Sequence, residues 1–179
     1  MILVTLLISS FKKLQLRQKI NQICQITTLQ ATTQYHVPVL LDECCNYLNV
    51  REGGIYVDCT LGGGGHTKAI LELGGRVVGI DQDTDAIKHT STLLTQYIES
   101  KKLEIVQSNF RLINDVVRSS STWSSEVGNV DTNFLGVDGI LMDLGVSSHQ
   151  IDINGRGFSF GKDGPLDMRM NQGENIMTL

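Results

Sequence analysis

The sequence predicts an α/β fold built around a parallel β-sheet. Short apolar segments alternate with segments of helical periodicity, a run of four glycines follows the first apolar segment, and an aspartate closes three of these segments. The chain has 179 residues, 41% of them hydrophobic and 19% charged, which fits one globular domain. Units of strand, helix and strand join by right-handed crossovers, so the strands are expected to be parallel.

The first predicted elements flank the glycine run. Apolar residues at helical spacing predict a helix over residues 39–48, and the apolar residues 55–57 predict a strand that ends at Asp58. The glycines at residues 62–65 come next. A second helix is then expected over residues 67–73.

A second strand is expected over residues 76–80, ending at Asp81. A long helix should follow over residues 83–98. Either Asp83 or Thr84 is a suitable N-cap for it, because their side-chain oxygens can accept a hydrogen bond from the first turn.

Residues 103–106 predict a third strand, residues 111–118 a helix, and residues 137–142 a fourth strand that ends at Asp143. Between this helix and the fourth strand, residues 119–136 are rich in Ser, Thr, Asn and Gly, which predicts a surface loop. The loop is either a tolerated insertion or a functional lid.

Charge is distributed unevenly along the chain. Residues 1–41 hold four of the 15 basic residues and no acidic residue, so residues 42–179 carry 11 basic and 19 acidic residues, a net charge of −8. A protein that binds nucleic acid by broad phosphate neutralisation would be basic instead. The four cysteines form no CxxC pair, so we expect neither a zinc site nor a disulfide framework, and no metal.

The N-terminal segment has the composition of a targeting sequence. Residues 1–11 are apolar and precede the basic residues, the reverse of a secretory signal, and they are too few to span a bilayer. Residues 12–34 are rich in Gln, Thr, Ile and Leu and lack acids, which is typical of a mitochondrial transit peptide. The alternative is a leader without function on a cytoplasmic protein.

The strand ends predict a ligand crevice, because ligands bind outside the carboxyl ends of strands in open α/β sheets. The glycine run lets the backbone approach a ligand closely. Asp81 can accept hydrogen bonds from ribose hydroxyls, and Phe110, after the third strand, either stacks on adenine or packs in the core. An NAD site is disfavoured, since the loop is GGGGH rather than GxGxxG and no basic cluster awaits a pyrophosphate.

Several longer motifs resemble the ribosomal RNA small-subunit methyltransferase H family, which methylates the N4 amine of a cytosine and has mitochondrial relatives. The matching stretches are HVPVLLDE at residues 36–43, DCTLGGGGHT at 58–67, GIDQD at 79–83, NF at 109–110, DGILMDLGVSSHQ at 138–150, RGFSF at 156–160 and DGPLDMRM at 163–170. The resemblance implies a Rossmann-like class I methyltransferase sheet, of which the chain holds the first four strands.

The resemblance also implies a cofactor, a substrate and a set of contacts. The cofactor would be S-adenosyl-L-methionine, and the partner small-subunit ribosomal RNA or the assembling small subunit. The implied cofactor-binding residues are Gly64, Gly65, His66, Asp81, Phe110, Asp143 and Gln150.

The family continues beyond the last matching motif, with a helical insertion and further strands, and the sequence stops at Leu179. We therefore divide the chain into a leader (1–34), the N-terminal part of a cofactor-binding domain (35–170) and a divergent tail (171–179). The alternative to an active enzyme is a truncated, non-catalytic form of it.

Asp143 is the candidate catalytic residue. A hydrogen-bond acceptor beside the cytosine N4–H group would localise the nitrogen lone pair and could take up the proton. The alternative is that Asp143 caps the following turn. His66 is either a contact of the methionine moiety or a helix-cap residue, and His36 is a weaker candidate for contact with cofactor or base.

The last motifs hold candidate RNA contacts. The cations Arg156, Lys162 and Arg169 either meet RNA phosphate or form salt bridges, and the aromatic rings of Phe158 and Phe160 either stack on a base or pack under the loop. Ser147 and Ser148 are expected to hydrogen-bond within the loop rather than act as nucleophiles, because methyl transfer to an amine needs no covalent intermediate.

Overall fold

The structure is a computed structural model that describes residues 37–120 and 136–171. The predicted leader, His36, most of the predicted loop and most of the tail lie outside these residues. The strands are β1 (Ile55–Asp58), β2 (Arg76–Asp81), β3 (Leu103–Gln107) and β4 (Gly139–Leu141). The α-helices are α1 (Leu41–Tyr47), α2 (Gly65–Glu72), α3 (Thr84–Leu93), α4 (Thr95–Glu99), α5 (Ile113–Ser119) and α6 (Ser148–Asp152), with short 3₁₀ turns at Phe110–Leu112 and Asn154–Arg156.

The four strands form one parallel sheet in the order β3-β2-β1-β4. In the central pair, Val57 lies opposite Val78 and Asp58 opposite Gly79, so both strands end at the same edge. The inner valines are fully buried, as expected of a parallel sheet covered on both faces. The predicted α/β class with four parallel strands is confirmed. We call the end of the sheet at which the strands finish, marked by Asp58 and Asp81, the carboxyl edge. The opposite end, at which they begin, marked by Ile55 and Arg76, is the amino edge.

The four predicted helices all differ by a few residues from their predicted bounds, and the structure shows a local reason for two of them. The first begins at Leu41 rather than residue 39, because Leu40 adopts a left-handed conformation (φ 54°). The helix predicted over residues 83–98 is broken at the buried Leu94. There the Thr95 hydroxyl donates to the carbonyls of Ser91 and Thr92 (2.8 and 3.0 Å), and such bonds compete with the helical ladder.

Helix α3 begins as the sequence predicted, with Asp83 as N-cap accepting from the Asp85 amide. The fourth strand is shorter than its predicted range of 137–142, because only three residues pair with β1. None of the helices in the described parts of the chain is long and apolar enough to cross a membrane.

Candidate active site at the carboxyl edge of the sheet

The end of β1 is fixed by a buried carboxylate. Asp58 accepts hydrogen bonds from the Thr67 hydroxyl (2.7 Å) and the Thr60 amide (3.1 Å). Burial raises the pKa of Asp58 above its usual value, although these bonds act in the opposite direction. Because Thr67 lies in the first turn of α2, Asp58 ties the glycine loop to the helix that follows it.

Gly64 occupies a point in the glycine loop that has no room for a side chain. Gly64 precedes α2 with φ 77°, and a Cβ there would lie 2.6 Å from the Thr90 methyl group. The Thr90 hydroxyl donates to the Gly62 carbonyl (2.8 Å), so the loop is anchored on α3. A close approach and a positive φ explain the requirement for glycine at residue 64.

Asp81, at the end of β2, is held by two backbone donors. Its oxygens accept from the amides of Gly62 (2.8 Å) and Asp83 (2.9 Å). Burial raises the pKa of Asp81, and these amide hydrogen bonds counter part of the rise. A carboxylate oxygen accepts more than one hydrogen bond, so Asp81 can still receive hydroxyl groups from a ligand.

Asp143 follows β4 and reaches the same edge. Its amide donates to the Thr60 hydroxyl (2.8 Å), which links the loop after β4 to the loop after β1. This bond holds Asp143 through its backbone and does not involve its carboxylate.

These strand ends surround a cavity of about 230 Å³. Four of the predicted site residues line it: Asp81, Phe110, Asp143 and Gln150. Phe110 is 36% exposed, so its ring is available at the cavity wall rather than closed in the core. The structure thus brings together two carboxylates, an aromatic ring and an amide that are up to 69 residues apart in the sequence.

The other three predicted cofactor residues are not part of this lining. Gly64 packs against Thr90, Gly65 against Pro38, and His66 is buried. The His66 Nε2 atom donates to the Val39 carbonyl (3.0 Å), which supports a wall residue of the cavity. Gly62 lines the cavity instead of the two later glycines that the resemblance implied. Cofactor contact by Gly64, Gly65 and His66 remains a prediction.

Several lining residues were missed by sequence reasoning, among them Gln82 and Met170. The Gln82 amide donates to the Met170 sulfur (3.5 Å) and accepts from Asn109 (3.2 Å), so three distant segments meet there. Gln82 lies beside Asp81 in sequence, which was the available signal. Met170 ends the last matching motif, DGPLDMRM, which was the signal available for it.

Gln150 has a structural partner as well as a place at the cavity. Its side chain completes a capping box with Ser147 at the start of α6. It also donates to Asp83 (2.7 Å). The capping box shows that Ser147 hydrogen-bonds within its own loop, as predicted.

For the cationic cluster the sequence left two alternatives, contact with RNA phosphate or salt bridges, and the structure decides between them at Arg156. Arg156 is buried and paired with Asp83 and Asp85, so the alternative of a salt bridge is confirmed, although below the surface. Arg169 pairs with Asp167, and the Lys162 ammonium donates to the Asp152 carbonyl (2.6 Å).

The two aromatic candidates near this cluster behave differently. Phe158 is half-buried, whereas the Phe160 ring is fully exposed, so packing under the loop is wrong for Phe160. Within residues 37–120 and 136–171, no group of three His, Cys, Asp or Glu side chains could hold a metal ion.

The sequence model of the MraW methylase family matches residues 33–178. Curated relatives include the ribosomal RNA small subunit methyltransferases H of Brevibacillus brevis and Clostridium botulinum (strain Okra). Each is 48% identical, over 141 and 144 residues, covering 77% and 79% of this chain but 40% and 42% of the relative. The chain therefore spans about two fifths of the length of these relatives.

Solved structures overlap with part of the fold. An rRNA methylase from Streptococcus thermophilus is 23% identical with a TM-score of 0.40, covering 46% of this chain and 50% of its own. A SAM-dependent O-methyltransferase from Thermotoga maritima is 20% identical with a TM-score of 0.39, covering 47% and 33%.

The family match covers the motifs from which the resemblance was predicted, and that prediction is confirmed. Membership of a methylase family supports the cofactor that was predicted from the same motifs, S-adenosyl-L-methionine. The match reaches from the residues before α1 to beyond the last described turn, so it includes every strand that meets at the cavity. The chain belongs to the MraW methylase family.

Proposed function

We propose that this protein is an S-adenosylmethionine-dependent methyltransferase that transfers a methyl group to the N4 amine of a cytosine in small-subunit ribosomal RNA. The observation that carries the proposal is the convergence of Asp81 and Asp143 on one cavity at the carboxyl edge of the sheet. The names of the curated relatives supply the nucleic acid, ribosomal RNA of the small subunit.

The chemistry of the cavity suits this cofactor. Asp81 offers acceptor oxygens to ribose hydroxyls, and Phe110 offers an aromatic face to adenine. Two carboxylates at one cavity also favour a ligand that carries positive charge, as a sulfonium does. When bound, the cofactor supplies an electrophilic methyl group.

Asp143 is the residue that we propose acts on the acceptor. The exocyclic nitrogen of cytosine is a poor nucleophile, because its lone pair is delocalised into the ring. A carboxylate that accepts a hydrogen bond from the N4–H group localises the lone pair and can take up the proton. The backbone bond to Thr60 would keep Asp143 in place for this task.

The proposal is tested by titrating the protein with S-adenosylmethionine in a calorimeter and assaying ribosomal RNA methylation. We expect binding by this chain, and loss of methylation with retained folding in Asp143→Ala. The matched control is Asp115→Ala, an exposed aspartate on α5. Normal turnover by Asp143→Ala would contradict the assigned role.

The assay should also compare this chain with a version extended by the C-terminal parts of its relatives. If folded protein releases no heat with the cofactor, the alternative of a non-catalytic form is favoured instead. If both versions bind the cofactor and only the extended one methylates RNA, the cofactor site belongs to the described strands and the RNA site needs the rest.

We also propose that the protein acts in mitochondria. This proposal is supported only by the acid-poor composition of residues 1–34. Fusing these residues to a fluorescent protein tests it: mitochondrial import is expected, and diffuse cytoplasmic fluorescence would favour the cytoplasmic alternative.

A further inference from the structure

Arg156 lies in an unusual environment for a charged residue. It is 3% exposed, and its guanidinium forks onto one carboxylate, donating from Nη2 to Asp83 Oδ2 (2.7 Å) and from Nη1 to Asp83 Oδ1 (3.2 Å). The two residues are 73 positions apart. Arginine is suited to this geometry because its planar fork matches a carboxylate, whereas lysine presents a single point charge.

The same guanidinium reaches two further groups. Nη1 donates to the half-exposed carboxylate of Asp85 (3.2 Å), and Nη2 donates to the Met170 carbonyl (3.1 Å). One side chain therefore joins the start of α3 to the last described residues of the chain, next to Met170.

The network continues from Asp83 to the cavity. The Asp83 carboxylate accepts from Gln150 (2.7 Å), and its amide donates to the Asp81 carboxylate (2.9 Å). Gln150, Asp81 and Met170 all line the cavity, whereas Arg156 does not. Arg156 thus sits behind the wall and is one or two hydrogen bonds from three groups that form it.

We propose that Arg156 is a positioning residue of the cofactor site, holding Gln150 and Met170 against the end of β2 so that cofactor affinity depends on its forked contact with Asp83. This inference rests on the proposed function, since it takes the cavity to be the cofactor site. It adds a residue that touches neither cofactor nor acceptor.

Stability alone is a weak reason for this arrangement. Removing two charges from water is costly, and a buried ion pair often contributes no more than well-packed apolar residues would. What a buried fork does supply is a fixed mutual orientation of the segments that it joins. Here those segments are the walls of the cavity.

The test uses calorimetric titration with S-adenosylhomocysteine. Arg156→Lys keeps the charge and removes the fork, so we expect the dissociation constant to rise about tenfold, the size of effect typical of neighbours coupled through one network. The matched control is Arg51→Lys, which alters an Arg–Asp pair at the amino edge of the sheet. Its dissociation constant should stay at the wild-type value.

A second readout separates positioning from folding. Titrations are run at a temperature at which thermal unfolding shows each variant to be folded, and amide hydrogen exchange is followed over Ser148–Asp152 and at Met170. Faster exchange there in Arg156→Lys, without ligand, is expected. If that variant fails to fold, the double variant Asp83→Asn with Arg156→Gln removes both charges of the buried pair and is expected to fold but to bind more weakly.

The outcomes are distinct. If the wild-type chain does not bind S-adenosylhomocysteine, the cofactor assignment fails and this inference fails with it. If the wild type binds and either folded Arg156 variant binds equally tightly, only the positioning role is overturned.

Discussion

Two arginine–aspartate pairs lie at opposite edges of the sheet and share the same chemistry in different surroundings. At the carboxyl edge, Arg156 and Asp83 are each 3% exposed in their side chains. At the amino edge, Arg51 and Asp138 are 67% and 26% exposed. The first pair lies behind the wall of the cavity. The second lies where β1 and β4 begin, and its Asp138 accepts a hydrogen bond from the Ile55 amide.

The partners of each aspartate show what the difference means. The pKa of Asp138 is lowered first by the hydrogen bond from the Ile55 amide, and Arg51 adds to this from a solvated position. Burial by itself would raise the pKa of Asp83, but hydrogen bonds from Arg156 and Gln150 outweigh burial and hold it below its usual value. The low pKa of Asp138 therefore needs little from Arg51, whereas the low pKa of the buried Asp83 depends on Arg156.

The largest effect is expected from breaking the buried pair. Arg156→Met leaves the Asp83 charge buried without its cation, which should lower the free energy of unfolding by about 3–5 kcal/mol. Urea denaturation measures this. Arg51→Met, the same change at the amino edge, should cost less than about 1 kcal/mol because water and the Ile55 amide still solvate Asp138. Equal losses in the two variants would contradict the comparison.

A glycine at each edge extends the comparison to the backbone. Gly64 (φ 77°) and Gly53 (φ 73°) are both left-handed, but a Cβ at residue 64 would meet Thr90 at 2.6 Å and one at residue 53 would meet nothing within 4 Å. We expect Gly64→Ala to cost about 2–3 kcal/mol, from strain and overpacking, and Gly53→Ala about 1 kcal/mol, from strain alone. Thermal unfolding of the two variants distinguishes them.

A smaller effect should be seen with pH. The pKa of Asp83 is lower in the folded protein than in the unfolded chain, where it is about 4, so ionised Asp83 stabilises the wild type above that pH. This stabilisation is lost as the pH falls through the folded-state pKa. In Arg156→Met, burial without the cation should raise the pKa of Asp83, so that lowering the pH protonates Asp83 and removes the unpaired buried charge. The difference in unfolding free energy between the two proteins should therefore shrink as the pH is lowered from 7. Urea midpoints measured at several pH values test this, and a constant difference would show that Asp83 is not the group involved.

Much of the fold could be predicted from local signals. The four strands, the aspartates that close three of them and the Asp83 cap were each visible in a few consecutive residues, because burial in a parallel sheet requires apolar runs and ligand crevices collect polar groups at strand ends. The break at Leu94 was less visible, since no glycine or proline marks it in the sequence.

The site was predictable in part. The sequence alone determined which strand ends carry carboxylates, and thus that Asp81 and Asp143 would lie at one edge. Only the tertiary structure decided that Gly62 and not Gly65 reaches the cavity, and that Arg156 is buried rather than displayed to RNA. The reason is physical. The chemical type of a side chain is a property of the residue alone, whereas its burial and its hydrogen-bond partners depend on segments 60 to 90 positions away that only the folded chain brings together.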